Sequence, residues 1–330
     1  MSADKSSGRG WFASPPPPAA IEIDARRVSV VTMSARSVTG YASEPLPPGL
    51  VTPNLNGANV HDAAALTGSL KAALDRVSPR PRRAALILPD AAAKVSLVRF
   101  EKVPAKAQDL DQLIRWQVRK AAPFRIEDAQ VSWAEASEVP GGGREYFVVL
   151  ARRDLIHTYE KVCEAAGVHA GTIDIASTNL VNAVLATRPQ LASGDWLLVH
   201  TAVDYATLVV VRDGHVIFFR NRPGDGVTDD MGDLVHQTAM YYQDRLGGSH
   251  FSRVVLSGSS SVPAGAADRM RMQIEERLGV RVEPLDVRDG VTLRDRISAG
   301  AELLDVLAPA VGVLLRDAPP RSTRAGERVA

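Results

Sequence analysis

The chain carries few side chains with the types and spacing of a catalytic or metal-binding site. Its seven histidines include no pair at metal-ligand spacing, and the sequence has no cluster of Cys and His. Serines stand at positions 257 and 259–261, but the Gly-x-Ser-x-Gly pattern of a nucleophile elbow is absent. The residues therefore predict neither a catalytic nucleophile nor a bound metal. A binding function would depend on the secondary-structure elements that form a surface.

The composition is that of an ordinary globular protein from a reducing compartment. With 330 residues the chain can bury one large or two ordinary cores, and its formal net charge of +1 gives no field that would attract nucleic acid. Cys163 is the one cysteine, so no internal disulfide forms. No apolar run approaches the roughly 20 residues of a membrane span, so we expect a cytoplasmic protein whose attachment to any membrane comes through a partner.

The chain is organised around the stretch from Asp195 to Arg222. Three apolar runs follow one another there, at 197–199, 206–211 and 216–220. Asp213-Gly214 tolerates the positive φ angles of a type I′ turn, so the last two runs are predicted to form a hairpin. A helical segment (229–246) and a further strand (253–257) complete the order βββαβ.

The first half of the chain has the same order. Its predicted strands are 21–23, 28–33, 37–43 and 83–88, with a helix over 63–77 before the last of them. Two βββαβ units in one chain are the pattern of the duplicated ribonuclease-H-like fold of actin. We therefore predict an α/β protein with two actin-like subdomains.

An insertion, residues 95–152, has no counterpart in the second half. A strand-like run, an amphipathic helix (109–122) and a two-strand hairpin predict a small α/β module. Trp116 and Arg119 lie off the apolar stripe of this helix, which makes them candidates for a docking surface. A tryptophan that covers the edge of its own sheet is the alternative interpretation.

These patterns divide the chain into five parts. We predict a disordered leader (1–19), a first actin-like subdomain (20–94 and 153–190), the inserted module (95–152), a second subdomain (191–316) and a disordered tail (317–330).

Several segments resemble one protein family. They are LPPGLVTPNLNGANVHD, IRWQVRKAAPFRIEDAQVSW, FVVLARRDLIHTYEKVCEAAGVHAGTIDI and the ending LGVRVEPLD…APAVGVLLR. Together they are similar to PilM, the actin-like cytoplasmic family of the type IV pilus assembly platform, over roughly residues 20–316. The resemblance implies a cytoplasmic scaffold that holds the N-terminal cytoplasmic peptide of a PilN-like membrane partner in a groove beside the module. On this basis Trp116, Arg119, Pro123 and Phe124 are our candidates for peptide contacts.

The resemblance also locates the positions of a nucleotide site, and they depart from the family pattern. Asp24, followed by Ala25, stands where the first phosphate loop has a glycine. In the second loop His200 replaces the metal-binding Asp and Ala202 the Gly, with Asp204 two residues further on. Gly258 is the glycine that remains of a Gly-Gly-Gly run. A helical subdomain usual after the second hairpin is also reduced to one helix, so we expect a shortened, non-hydrolysing member with no cofactor.

Two other functions stay open at this stage. One is a functional actin-like ATPase that couples ATP and Mg²⁺ to partner exchange through Asp24, Asp204 and Gly258. The other is the cytoplasmic domain of a GspL-like type II secretion protein. The partner's identity and any self-association are left undetermined by the sequence.

Overall fold

The computed structural model describes residues 17–139, 142–224, 230–263, 265–293 and 300–316. Most of the predicted leader, with Trp11 and Phe12, and the predicted tail lie outside these ranges. The strands are β1 Ala19–Ile23, β2 Arg27–Ser34, β3 Ser37–Pro45, β4 Arg83–Leu88, β5 Lys94–Phe100, β6 Ala129–Val139, β7 Gly143–Arg152, β8 His169–Ile175, β9 Asp195–Thr201, β10 Tyr205–Arg212, β11 His215–Pro223, β12 Arg253–Ser257, β13 Val282–Pro284 and β14 Thr292–Leu293. The helices are α1 Ala63–Asp75, α2 Ala107–Val118, α3 Arg153–Ala165, α4 Ala176–Thr187, α5 Met231–Leu246, α6 Ala266–Leu278 and α7 Ala301–Leu315.

Two larger sheets repeat the predicted order. In the first, the strands run β14-β3-β2-β1-β4-β8, and in the second β11-β10-β9-β12-β13. In each, an antiparallel meander of three strands continues into a parallel strand, β4 beside β1 and β12 beside β9. The duplication predicted from the sequence is therefore confirmed.

Two hairpin turns have the same backbone geometry but different residue types. Asp213 and Gly214 have φ angles of 49° and 79°, which is the type I′ geometry predicted for the turn between β10 and β11. The turn between β2 and β3 has the same backbone sign at Ala35 and Arg36, with φ angles of 45° and 61° and no glycine. Local sequence gave no signal for this second turn.

The inserted module is a three-stranded antiparallel sheet in the order β5-β7-β6. Helix α2 covers one face, where Leu110, Ile114 and Val118 pack on Tyr146 and Val148. The opposite face, with Val149 and Ala151, turns toward the two larger sheets. The sheet thus has one covered face and one face available to line a site.

The largest apolar core lies between the two large sheets. Helices α4 and α7 cross within it, and residues of both sheets pack against them, for example Ile87 from the first sheet and Leu198 from the second. Gly312 on α7 sits so close to α4 that a Cβ atom would lie 1.8 Å from the carbonyl oxygen of Asn179. The approach of the two helices therefore requires glycine at this position.

Substituting Gly312 tests whether this helix crossing holds the two halves together. We expect Gly312→Ala to lower the free energy of unfolding by about 3 kcal/mol or more, because the methyl group forces the helices apart. Gly68→Ala is the matched control: a Cβ on this helical glycine meets nothing within 4 Å. It should raise stability by about 0.5–1 kcal/mol. Urea denaturation measures both, and equal effects would contradict the close-approach argument.

Candidate functional site

The first loop of the cleft, between β1 and β2, is closed by its own aspartate. The Asp24 carboxylate accepts hydrogen bonds from the backbone N–H groups of Arg26 (2.6 Å) and Arg27 (2.8 Å). It also forms an ion pair with the Arg27 guanidinium at 3.2 Å. The backbone donors that point toward the cleft are therefore already bound by a side chain of the same turn.

The loop that follows β12 is held by a carboxylate from α7. Asp305 accepts hydrogen bonds from the backbone N–H groups of Gly258 (2.7 Å) and Ser260 (2.9 Å). It also accepts from the hydroxyls of Ser257 (3.0 Å) and Ser259 (3.3 Å). Gly258 has a φ of 87°, and a Cβ there would lie 1.7 Å from the carbonyl oxygen of Thr201, so glycine is required for the loop to pass beneath β9. An internal carboxylate thus occupies an arrangement of donors suited to an anion.

A third carboxylate, Asp90, connects the two halves. It is fully buried and accepts hydrogen bonds from the backbone N–H of Ser177 at 2.9 Å and from the Ser177 hydroxyl. The Thr207 hydroxyl of β10 donates to it at 2.7 Å, and the Asn221 amide of β11 donates to Thr207 at 2.9 Å. The carboxylate follows β4 in the first half, so these bonds run across the boundary between the two large sheets.

Two titratable groups are buried beside these carboxylates. The His200 ring Nε2 lies 3.3 Å from the Tyr205 hydroxyl, and burial lowers the pKa of His200, which keeps the ring neutral. Burial raises the pKa of Glu22 to about 8, and the charge of Asp24 contributes in the same direction. Because Glu22 and His200 are both neutral at pH 7, neither adds a charge that would hold a metal–phosphate group.

The remaining space in the cleft is small. The cavity between the first two loops and the β12 loop encloses about 40 Å³, whereas sites for small ligands usually enclose about 300–1,000 Å³. The structure brings the predicted positions Asp24, Ala25, Ala202 and Asp204 together around this cavity. His200 and Gly258 do not line it. The part of the chain that the structure describes contains no cluster of His, Cys, Asp and Glu suited to a metal ion.

A much larger groove separates the module from the first sheet. It encloses about 700 Å³. One side is β8, whose residues 170–175 all line it, and β8 is the terminal strand of its sheet. The other side is the open face of the module sheet, with Gln130, Ser132, Val149 and Ala151. An edge strand thus faces a second sheet across an open groove.

Two of the four predicted peptide-contact residues lie in an adjoining hollow. Pro123 and Phe124 line it together with Arg152 and Arg153, and Arg153 also lines the groove. Arg153 is fixed by a bond from its Nε to the Ala129 carbonyl oxygen at 3.2 Å. The two spaces therefore meet at this residue.

The other two predicted contacts lie on α2. Trp116 is 65% exposed on the outer side of this helix, and Arg119 is the residue that caps its C-terminus. Neither lines the groove or the hollow. The alternative interpretation, in which Trp116 covers the edge of its own sheet, does not describe its environment. Trp133, in contrast, lies between the module sheet and α2: its indole N–H donates to Asp111 at 3.0 Å, and its ring packs against Tyr146.

Sequence reasoning missed the most connected polar residues. Asp90 and Asp305 lie in ordinary helical and turn segments. The hydrogen-bond partners of Asp90 are 87 and 117 residues away in the sequence. Those of Asp305 are 45 to 48 residues away. A possible signal was the position of Asp305 as the one charged residue in the apolar run from Leu303 to Leu315. A charge in such a run is buried, and a buried charge needs partners.

The architecture defines the class of the protein: two related α/β halves around a central cleft are the actin-like ATPase fold. Within this class, the model of the family described as type IV pilus assembly protein PilM matches residues 20–234, more than half of the chain. The chain belongs to this family. A search of curated proteins gave no significant match.

Solved structures share the fold at low identity. The PilM-PilN type IV pilus biogenesis complex contains a chain that superposes with a TM-score of 0.75 at 19% identity, over 91% of this chain and 97% of that one. The ethanolamine utilization protein EutJ from Carboxydothermus hydrogenoformans gives 0.49 at 11% identity, over 92% and 90%. The cytoplasmic domain of EpsL, from the type II secretion system of Vibrio cholerae, gives 0.44 at 10%, over 72% and 80%. The last two scores are too low to support a functional argument.

The buried Glu22 predicts a pH dependence of stability. An unfolded glutamate titrates near pH 4.3, roughly, whereas the folded pKa is about 8. Unfolding therefore releases a proton between these values, and wild-type stability falls as the pH rises through this window. The groups that face Glu22 are Asp24, Asp90, Asp305 and Arg27.

We expect Glu22→Gln, which is neutral throughout, to remove this slope. Relative to wild type, the variant should gain on the order of 4 kcal/mol between pH 5 and pH 8. Chemical denaturation at several pH values measures the difference, and parallel profiles for the two proteins would show that Glu22 is ionised in the folded state.

Proposed function

We propose that this protein is a scaffold of the type IV pilus assembly platform that captures the N-terminal cytoplasmic segment of a PilN-like membrane protein. The observation that carries the proposal is the open edge of β8, which faces the module sheet across the 700 Å³ groove. The similarity to the solved PilM-PilN type IV pilus biogenesis complex supports the choice of partner.

The groove is suited to an extended peptide. An edge strand presents unpaired backbone N–H and C=O groups, and a peptide that adds to it gains main-chain hydrogen bonds. Apolar contacts are available on the module side from Val149 and Ala151, and on the β8 side from Ala170 and Ile173. Side chains of such a peptide would alternate between these two walls.

The adjoining hollow gives the peptide a second point of contact. Arg153 lies where the groove and hollow meet, so a segment that leaves the groove there reaches Pro123 and Phe124. The proposal thus places two of the four sequence-predicted residues, Pro123 and Phe124, on the peptide path. Trp116 and Arg119 would contact only a partner that continues around the outer side of α2.

The same proposal includes a loss of nucleotide chemistry. Asp24 and Asp305 already bind the loop donors that would face phosphates, and the space between the loops is about 40 Å³. A nucleotide would have to displace these internal bonds and open the cleft. We infer a pseudo-ATPase with no cofactor, in which the cleft has a structural role.

The proposal also sets where the protein acts. No helix in the described ranges is long and apolar enough to cross a membrane. The partner would therefore supply the attachment, and the scaffold would lie on the cytoplasmic side of the inner membrane as a peripheral component.

Blocking the groove tests the capture of the peptide. We expect Ser132→Trp, on the wall of the groove, to weaken binding of the PilN-like N-terminal peptide at least tenfold, because the indole fills the space of the peptide. Fluorescence anisotropy with a labelled synthetic peptide measures the affinity. Ser193→Trp is the matched control at an exposed serine that lines neither space, and it should bind as wild type does.

Trp116→Ala in the same assay separates the groove from the outer face of α2. If Trp116→Ala binds the peptide as wild type does and Ser132→Trp binds it more weakly, the contact is confined to the groove. A loss in Trp116→Ala with normal binding by Ser132→Trp would move the site to α2 and refute the proposed path.

The inferred loss of nucleotide binding predicts no thermal shift with ATP and Mg²⁺. A ligand at a hundred times its dissociation constant adds about 2.7 kcal/mol of stability, a shift of several degrees. We expect the melting temperature in millimolar ATP–Mg²⁺ to equal that in sodium triphosphate–Mg²⁺, which controls for ionic strength. A clear rise with ATP alone would show that the cleft opens, and would favour the ATPase function.

A further inference from the structure

We propose that a hollow at the β5 edge of the module is a binding site for a small organic anion. It lies where the loop 54–56 of the first half, the start of β5 and the end of β11 come together, and it encloses about 390 Å³. This volume falls within the range of small-ligand sites. The hollow is distinct from the closed cleft. It meets the peptide groove at Ala93 and the hollow of Pro123 and Phe124 at Asn56.

The charge of the hollow selects an anion. Lys94 from β5 and Arg220 from β11 are its two charged residues, and no carboxylate lines it. Neither cation has an ion pair or a side-chain hydrogen bond within the described ranges. Several arginines on other strands are paired, as Arg144 is with Glu135 and Arg212 with Asp195. Two unpaired cations from different parts of the fold that face one concave space provide the complement of a phosphate or carboxylate group.

The rest of the lining indicates that the anion carries an apolar or aromatic body. Phe219 and Val95 line the hollow, and Phe219 is fixed by an edge-to-face contact with Phe147 at 6.0 Å. A fixed ring beside a cationic group is an arrangement that favours a planar ligand with a charged substituent.

Two asparagines of the hollow are held in place before any ligand arrives. Asn221 donates to Thr207 at 2.9 Å, which joins it to the Asp90 network. Asn54 shapes its own loop, since its side-chain oxygen accepts from the backbone N–H of Asn56 at 3.1 Å. A preorganised site loses little entropy on binding. Because the hollow spans the module and the second half, a bound anion would also fix their relative position.

Binding of phenyl phosphate to the full chain tests the proposal. It combines a phosphate with a ring, whereas inorganic phosphate supplies the charge alone and phenol the ring alone. Isothermal titration calorimetry should show binding of phenyl phosphate, at least fivefold weaker binding of both partial probes, and an affinity that falls with added salt. Lys94→Gln and Arg220→Gln should each weaken phenyl phosphate binding at least fivefold.

Matched controls replace exposed cations that do not line the hollow, Lys71→Gln on α1 and Arg245→Gln on α5, and should bind as wild type does. Melting temperatures confirm that all variants fold. The proposal is overturned if wild type does not bind phenyl phosphate at millimolar concentration, or if the hollow variants bind as the controls do. Peptide capture is measured separately, and we expect Lys94→Gln to retain it, so failure of one proposal leaves the other intact.

Discussion

The two halves of this molecule depend on one buried carboxylate. Asp90 has no exposed surface, and it is bonded to Ser177 of α4 on one side and Thr207 of β10 on the other. A charge in such a place is retained only when its hydrogen bonds are satisfied, and removal of a partner leaves it uncompensated. Because these partners come from both halves, the relative position of the halves is set by hydrogen-bond geometry as well as by the apolar core around α4 and α7.

Internal carboxylates explain how an actin-like fold can be stable with its cleft closed. In this chain Asp24 and Asp305 bind the backbone donors of two loops, and Asp90 bridges the halves. Each carboxylate supplies the negative charge that loop donors favour. Glu22 lies among them and is kept neutral by burial and by the charge of its neighbours. The neutral Glu22 side chain thus adds no further negative charge to the cluster.

Much of the fold could be predicted from sequence because it is local and repeated. Alternating apolar runs, the Asp213-Gly214 turn and the second βββαβ unit each specify structure within a few residues. The features that could not be predicted are a turn without its usual residues and a very short strand that pairs with a strand of the other half. The turn at Ala35 and Arg36 lacks glycine, and β14 has only two residues, which pair with β3 of the other half.

The candidate sites divide in the same way. The positions around the cleft could be assigned by family resemblance, and the structure does bring Asp24 and Asp204 to one cavity. The family resemblance implied a groove beside the module, but the residues of its walls could not be predicted, since they meet only because β8 terminates its sheet and the module folds back beside it. Trp116 could be selected from the sequence because the exposure of a helix position follows from the local apolar pattern. Whether a residue lines a groove depends on distant parts of the chain.

The way the module joins the rest of the chain has an evolutionary consequence. It leaves the first half at Lys94 and returns at Arg152, and its first and last strands are paired, with Lys94 opposite Leu150. Entry and exit therefore lie side by side, so the segment forms a cassette whose loss or exchange need not alter the path of the host strands. Mutation within the cassette can therefore change the groove wall that the module supplies without changing the pairing of the host strands.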